Sequence, residues 1–173
     1  HVIDTLNSLG ASIERKNGDL FIHGPTNFKP QPIHNCFDKQ ECITYISLAL
    51  TTESSITIEN ASAKEFRFDA LDTFLNESRI ELICNEANNT ILVPQQKISD
   101  FKPVTFIAAE YPLPATEWQV LFSPLIGLIQ GKSTIIDKYY PTRVQHWNAL
   151  NLLGARGKII KDKFGKFDNI TKK

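Results

Sequence analysis

The sequence predicts an α+β fold of repeated βαβαββ units, with the helices buried and the sheets outside. Three observations carry that prediction: a short string recurs three times, helix-start patterns recur four times, and apolar residues distribute differently over helices and strands. The string is Leu6-Asn7-Ser8-Leu9-Gly10-Ala11, then Leu75-Asn76-Glu77-Ser78, then Leu150-Asn151-Leu152-Leu153-Gly154-Ala155. Each copy closes a helical pattern and leads into a strand. Successive copies lie about 70 residues apart, enough for two helices and four strands. Gly10 and Gly154 suit the left-handed residue that closes a last helical turn, whereas Arg79 makes the middle cap a degenerate one.

Helix starts come next. Ser62-Ala63-Lys64-Glu65, Thr116-Glu117-Trp118-Gln119 and Thr142-Arg143-Val144-Gln145 read as capping boxes, and Asp38-Lys39-Gln40-Glu41 as an Asp-led variant. In each, the first side chain accepts from a backbone N–H of the first turn and the fourth reaches back. Strands fall between them: Ser55–Glu59 alternates cleanly and Glu81–Asn85 more loosely. Asn89–Pro94, Val104–Ala108, Ser133–Asp137 and Gly157–Lys161 are further strand patterns. The helix from Thr116 carries Trp118, Val120, Leu121, Phe122, Leu125, Ile126, Leu128 and Ile129 over nearly all its faces. Helices apolar all round are buried, and alternating strands have one wet face. These patterns divide the chain into residues 1–32, an αββ tail of a preceding unit, and two βαβαββ units at 33–98 and 99–173.

Composition narrows the function. Of 173 residues, 19 are basic and 19 acidic, so no net field draws the chain to nucleic acid or an anionic membrane. The longest apolar run, Val120–Ile129, is interrupted by Ser123, Pro124 and Gly127 and is too short to span a bilayer. Cys36, Cys42 and Cys84 have neither zinc spacing nor the even count of a disulfide framework, and read as buried free thiols of a cytoplasmic protein. The N-terminus has no signal-peptide pattern, and the sequons at Asn60, Asn76, Asn88 and Asn169 read as coincidental in a chain rich in Asn, Ser and Thr. The chain contains no methionine, as expected of a processed or excised piece or of a sequence that has lost its methionines.

Two tempting motifs fail. Gly127-Leu128-Ile129-Gln130-Gly131-Lys132-Ser133 has three residues between its glycines where a P-loop needs four, and it follows a helix instead of a strand; Gly131 is expected to be a helix C-cap. His23, His34 and His146 lack metal-ligand spacing, no Ser/His/Asp order stands out, and no metal or cofactor is expected. The basic tail from Arg156 to Lys173 reads as a solvated end, since Phe164 and Phe167 are its only aromatic residues.

Three strings together carry a family resemblance. Phe37-Asp38-Lys39-Gln40-Glu41-Cys42-Ile43-Thr44 is similar to the family's P-D-R-I-E-A-G-T segment. Tyr111-Pro112-Leu113-Pro114-Ala115-Thr116-Glu117-Trp118-Gln119 is similar to its y-P-G-F-P-T-D-x-Q segment. Gly131-Lys132-Ser133, Tyr140-Pro141-Thr142-Arg143-Val144-Gln145-His146-Trp147 and Leu153-Gly154-Ala155 follow G-x-S, F-E-N-R-F-M-H-V and M-G-A in order. Together these strings resemble the enolpyruvyl transferases, best their UDP-N-acetylglucosamine 1-carboxyvinyltransferase branch. The resemblance implies an inside-out α/β barrel of two three-unit domains, with residues 36–173 an interior piece of the second. It implies UDP-sugar and phosphoenolpyruvate as partners, with neither nucleic acid nor membrane.

Residue by residue, Glu117 takes the place of the family aspartate beside the attacking hydroxyl. With Thr116 as N-cap it would be the first helical residue, where the helix dipole favours an ionised base. Arg143 matches the family arginine, suited to a phosphate or carboxylate. Thr116, Tyr139, Tyr140 and Asp38 map to substrate-binding positions, although a capping box by itself explains Asp38. None of the three cysteines corresponds to the reactive loop cysteine. Lys39 replaces an arginine, Pro141 a glutamate, and the Gly-Phe of the substrate loop is missing. A catalytically inactive binding or interaction module of the same fold is therefore the alternative, and a shikimate-phosphate-type transferase the rival within the fold.

Overall fold

The computed structural model describes residues 1–24, 27–33, 35–66 and 69–160. The chain divides between Phe37 and Asp38 into two compact units. The first holds helix α1 (Val2–Ser8) and the antiparallel hairpin of β1 (Ser12–Lys16) and β2 (Asp19–His23), paired from Ser12 with His23 to Lys16 with Asp19. Described residues between β2 and the first helix of the second unit form no strand, where the repeat pattern calls for one.

The second unit runs α2 (Lys39–Thr51), β3 (Ile56–Ile58), α3 (Ala63–Phe66), α4 (Asp69–Ser78), β4 (Ile83–Asn85) and β5 (Thr90–Val93). After a short 3-10 turn at Ile98–Asp100 come β6 (Thr105–Ala108), α5 (Thr116–Leu128), β7 (Thr134–Asp137) and α6 (Gln145–Leu152). β5 lies between β3 and β4 and is antiparallel to both, whereas β6 and β7 are parallel with Thr105 opposite Thr134. A parallel pair needs a crossover, and α5 supplies it. The strand expected at 157–161 does not form over residues 157–160, and its last residue lies outside the described residues, as do most of the basic tail and the Asn169 sequon.

The recurrent string is the same structure three times. Ala11 N–H donates to Leu6 O at 2.9 Å, Ile80 N–H to Leu75 O at 2.8 Å, and Ala155 N–H to Leu150 O at 3.0 Å. Gly10 at φ 108°, Arg79 at 61° and Gly154 at 101° all adopt the left-handed turn. The middle copy therefore keeps the cap geometry that its arginine made doubtful. Asn7 also clasps both backbone groups of Ile13, and Asn151 those of Gly157, at 2.7–2.9 Å. At the middle strand entry Gln96 plays that part on Glu81, at 2.7 and 3.0 Å.

Helices occupy the interior of the second unit. Cys42, Ile43, Ile46, Ala49 and Leu50 of α2 are buried, as are Trp118, Phe122, Leu125 and Ile126 of α5. Ser47 of α2 donates across to Leu121 O of α5 at 2.7 Å. Phe74 of α4, Phe106 of β6 and Phe122 of α5 meet with ring centroids 4.9–5.7 Å apart. Strands β5 and β7 alternate buried and half-buried residues, so each small sheet turns one face inward.

Of the four capping boxes, the Asp38 one shows its side-chain cap among the described residues, its Oδ1 accepting from Gln40 and Glu41 N–H at 2.8 and 3.3 Å. Thr116 does not. Ala115 is the N-cap, which makes Thr116 the first helical residue and Glu117 the second. The Thr116 hydroxyl is taken up by Glu117 and Arg143 instead of the helix backbone. Thr142 is likewise no cap: it belongs to a turn, and α6 starts after Val144. Helix α3 begins after Ser62, but the box's Glu65 side chain lies outside what is described. Gly131 is not the α5 cap either; Ile129 is, and Gly131 turns the chain toward β7 against Pro103. Of the cysteines, Cys42 is buried and Cys84 half-buried, while Cys36 is exposed in a stretch without helix or strand, contrary to the expectation of three buried thiols.

Candidate functional site

β6 and β7 end side by side at Ala108 and Asp137, and the segments that follow them form the site. The loop 109–115 leads from β6 to the start of α5, and the turn 138–144 leads from β7 to α6. Between them lies a groove of about 490 Å³ lined by Glu110, Tyr111, Thr116, Glu117, Tyr139 and Tyr140, with Lys39 from the start of α2. A second cleft of about 460 Å³ adjoins it, lined by Asp38, Glu41, Thr44, Val120, Leu121 and Arg143. Glu117 lines both.

Arg143 is held from four directions. Its Nη1 lies 3.3 Å from Glu117 Oε1 and 3.3 Å from Thr116 Oγ1, and its guanidinium sits 4.3 Å over the Tyr140 ring. Its carbonyl accepts from Gln119 Nε2 at 3.1 Å, and its N–H donates to Tyr140 O at 2.9 Å. The Glu117 carboxyl is held below its usual range, chiefly by its own backbone N–H and then by the hydrogen bonds from Arg143 and Thr116, which outweigh partial burial. Glu117 is therefore an ionised acceptor at neutral pH, at an N-terminal helix position that favours negative charge. The Tyr139 phenol is exposed, and the neighbouring Glu110 carboxylate holds it above its ordinary range.

The six residues singled out by sequence thus fall around one ion pair. Thr116, Tyr139 and Tyr140 face the first groove, Asp38 and Arg143 the second cleft, and Glu117 stands at their junction. Asp38 serves as a helix cap there. Among the described residues no cluster of His, Cys, Asp and Glu is arranged to hold a metal. Burial pushes the Cys42 thiol up to about 12, so it is protonated and unreactive.

Sequence reasoning missed the roles of four residues. Gln119, buried in α5, anchors Arg143, and the buried Asp137 anchors the turn that carries the tyrosines. Ser123 Oγ meets His146 Nε2 at 2.9 Å, a pairing that spacing cannot show because α5 and α6 bring it together. It is not a nucleophile and base. Ser123 is fully buried and donates its only hydroxyl proton to Gln119 O at 2.6 Å, so the imidazole must be the donor.

The profile of EPSP synthase (3-phosphoshikimate 1-carboxyvinyltransferase) matches residues 1–169. The chain belongs to the EPSP synthase family. Within it, the chain is 32% identical over 155 residues to the UDP-N-acetylglucosamine 1-carboxyvinyltransferase of Deinococcus radiodurans, covering 89% of this chain and 35% of that protein. The Deinococcus deserti enzyme of the same name is 30% identical with the same coverage, and one from Lactiplantibacillus plantarum is 31% identical over 87% of this chain and 34% of its own length. The chain thus spans about a third of the length of these relatives. Among solved structures, the enolpyruvyl transferase NikO from Streptomyces tendae superposes with a TM-score of 0.78 at 17% identity, over 96% of this chain and 39% of that one. That similarity establishes the enolpyruvyl transferase fold. No described helix of this family member is long and apolar enough to cross a membrane.

Proposed function

We propose that the protein carrying this chain transfers the enolpyruvyl group of phosphoenolpyruvate to the 3-hydroxyl of UDP-N-acetylglucosamine, making a peptidoglycan precursor in the cytoplasm. The observation that carries the reading is the Glu117–Arg143 pair, 3.3 Å apart at the junction of two clefts. The names of the relatives support it, because three that align over most of the chain are UDP-N-acetylglucosamine 1-carboxyvinyltransferases. On this reading residues 1–32, 33–98 and 99–173 are the tail of one repeat unit and two successive further units.

The transfer needs a base for the acceptor hydroxyl and cations for the donor's phosphate and carboxylate. Glu117, ionised and lining both clefts, accepts the hydroxyl proton as the sugar oxygen bonds to the enolpyruvyl carbon, and inorganic phosphate leaves. Arg143 keeps the carboxylate oriented through Nη1. Its Nε and Nη2 make no hydrogen bond among the described residues, which leaves an edge for an anion. Tyr139 and Tyr140 give the acceptor groove an aromatic wall. A phosphorylated shikimate-type acceptor fits less well, since among the described residues Lys39 is the only cationic one lining that groove.

The second reading is an inactive binding module. It draws on the pairing itself, since Glu117 and Arg143 satisfy each other, and on Lys39 and Pro141 where the resembling family has Arg and Glu. The deciding experiment incubates the full-length protein with phosphoenolpyruvate and UDP-N-acetylglucosamine and follows phosphate release and product mass. Turnover that is abolished in Glu117→Ala supports the transferase. Normal turnover in Glu117→Ala sinks the proposed role, and UDP-sugar binding by calorimetry without any turnover favours the module.

A further inference from the structure

The turn that carries both tyrosines and Arg143 has a buried anchor that is part of neither cleft. Asp137, the last residue of β7, is 5% exposed, and its Oδ1 accepts from Tyr139 N–H at 2.9 Å and Tyr140 N–H at 2.7 Å. Its Oδ2 is buried without a partner among the described residues. The carboxylate's contacts are therefore directed at one thing, the two amides that begin the turn. From there a chain of contacts reaches the site: Tyr140 O receives the Arg143 N–H at 2.9 Å, and the Tyr140 ring lies under the guanidinium at 4.3 Å. Gln119 holds the Arg143 carbonyl independently.

We infer that Asp137 is a positioning residue: it fixes the Tyr139–Tyr140 wall of the groove and the stack of Tyr140 on Arg143. Two short bonds to consecutive amides set the φ and ψ of the turn, and thereby the direction in which both rings leave the backbone. A buried carboxylate is costly unless its hydrogen bonds repay it, and here they are spent on that turn. Because Gln119 keeps the Arg143 backbone in place when Asp137 is lost, the damage falls on the aromatic wall more than on the Glu117–Arg143 pair.

This inference rests on the proposed transfer reaction for its kinetic readout and stands apart from it for a second one. In the full-length protein, Asp137→Ala should raise KM for UDP-N-acetylglucosamine about tenfold, the worth of one misplaced aromatic contact, with kcat within about threefold. Asp137→Asn, whose amide oxygen still accepts from both N–H groups, should restore KM. The second readout needs no turnover. Modification of Arg143 by phenylglyoxal, followed by mass spectrometry, should be about tenfold faster in Asp137→Ala than in the wild type, as the stack over Tyr140 is released. Should Asp137→Ala fail to fold, Tyr140→Leu, which removes the ring and leaves the buried carboxylate, should give the same acceleration. An unchanged KM in an active enzyme, equal loss of kcat and KM performance in Asp137→Asn and Asp137→Ala, or an unchanged Arg143 reactivity overturns the inference. Absence of wild-type turnover overturns the transferase reading only, and the Arg143 reactivity then decides the role of Asp137.

Discussion

The guanidinium of Arg143 lies over the ring of Tyr140, 4.3 Å from its centroid. The same group reaches Glu117 and Thr116 with a single nitrogen, Nη1. A planar, delocalised cation can stack and donate sideways at once, whereas an ammonium is a compact point charge on a flexible stem. Arg143→Lys should therefore keep the charge and lose the geometry. On the proposed transferase reading, the expected loss is about 100-fold in kcat/KM in the full-length protein, measured by phosphate release, because a displacement of about 1 Å costs that much.

His146 makes stability depend on mild acid. Burial lowers its pKa, so just below the ordinary value of about 6.5 the unfolded chain binds more protons than the folded one. Its contribution is complete above that pH and is lost as pH falls through the lower folded value. The melting temperature should drop as pH is taken from about 7.5 to about 5. His146→Gln, which retains an N–H for Ser123 and does not titrate, should flatten that part of the profile. An identical pH dependence in the variant would sink the assignment.

Gly131 is constrained twice. Its φ is 108°, and a Cβ built there would lie 2.5 Å from Pro103 Cγ, part of a stiff ring in the segment leading to β6. Gly131→Ala should cost about 2 kcal/mol or more, seen as a lower denaturant midpoint at unchanged m-value. The reason is packing and backbone conformation, and phosphate binding has no part in it.

Arg79 offers the opposite case. It is exposed and holds φ 61° at the end of α4, a conformation disfavoured by about 1 kcal/mol for a residue with a Cβ. Arg79→Gly should raise stability by about 0.5 kcal/mol, the relief being partly offset by the greater freedom of glycine in the unfolded chain. Equilibrium urea denaturation of the two proteins measures it.

Much of the fold was readable because it depends on neighbours in sequence. The Leu-Asn string specified its cap through bonds spanning five residues, so three copies gave three identical turns, Arg79 included. Asp38 capped α2 because its acceptor is two to three residues from its donors. Thr116 and Thr142 misled for a complementary reason. Their local pattern is as good as that of Asp38, but Arg143 arrives from the turn after β7 and claims the Thr116 hydroxyl. A capping rule has no knowledge of a side chain 27 positions away.

The candidate site divides along the same line. By itself the sequence determined the layering of helices and strands and the recurrent helix ends, and it singled out Glu117, Arg143, Thr116, Tyr139, Tyr140 and Asp38 as candidates, since each sits within a contiguous string. Only the tertiary structure decided that β6 and β7 run parallel and end together, and so that the two segments after them meet around one ion pair. Gln119, Asp137 and the Ser123–His146 contact were invisible beforehand for the same physical reason. Their partners are chosen by packing across elements, where burial makes an unpaired polar group costly and a distant one its remedy.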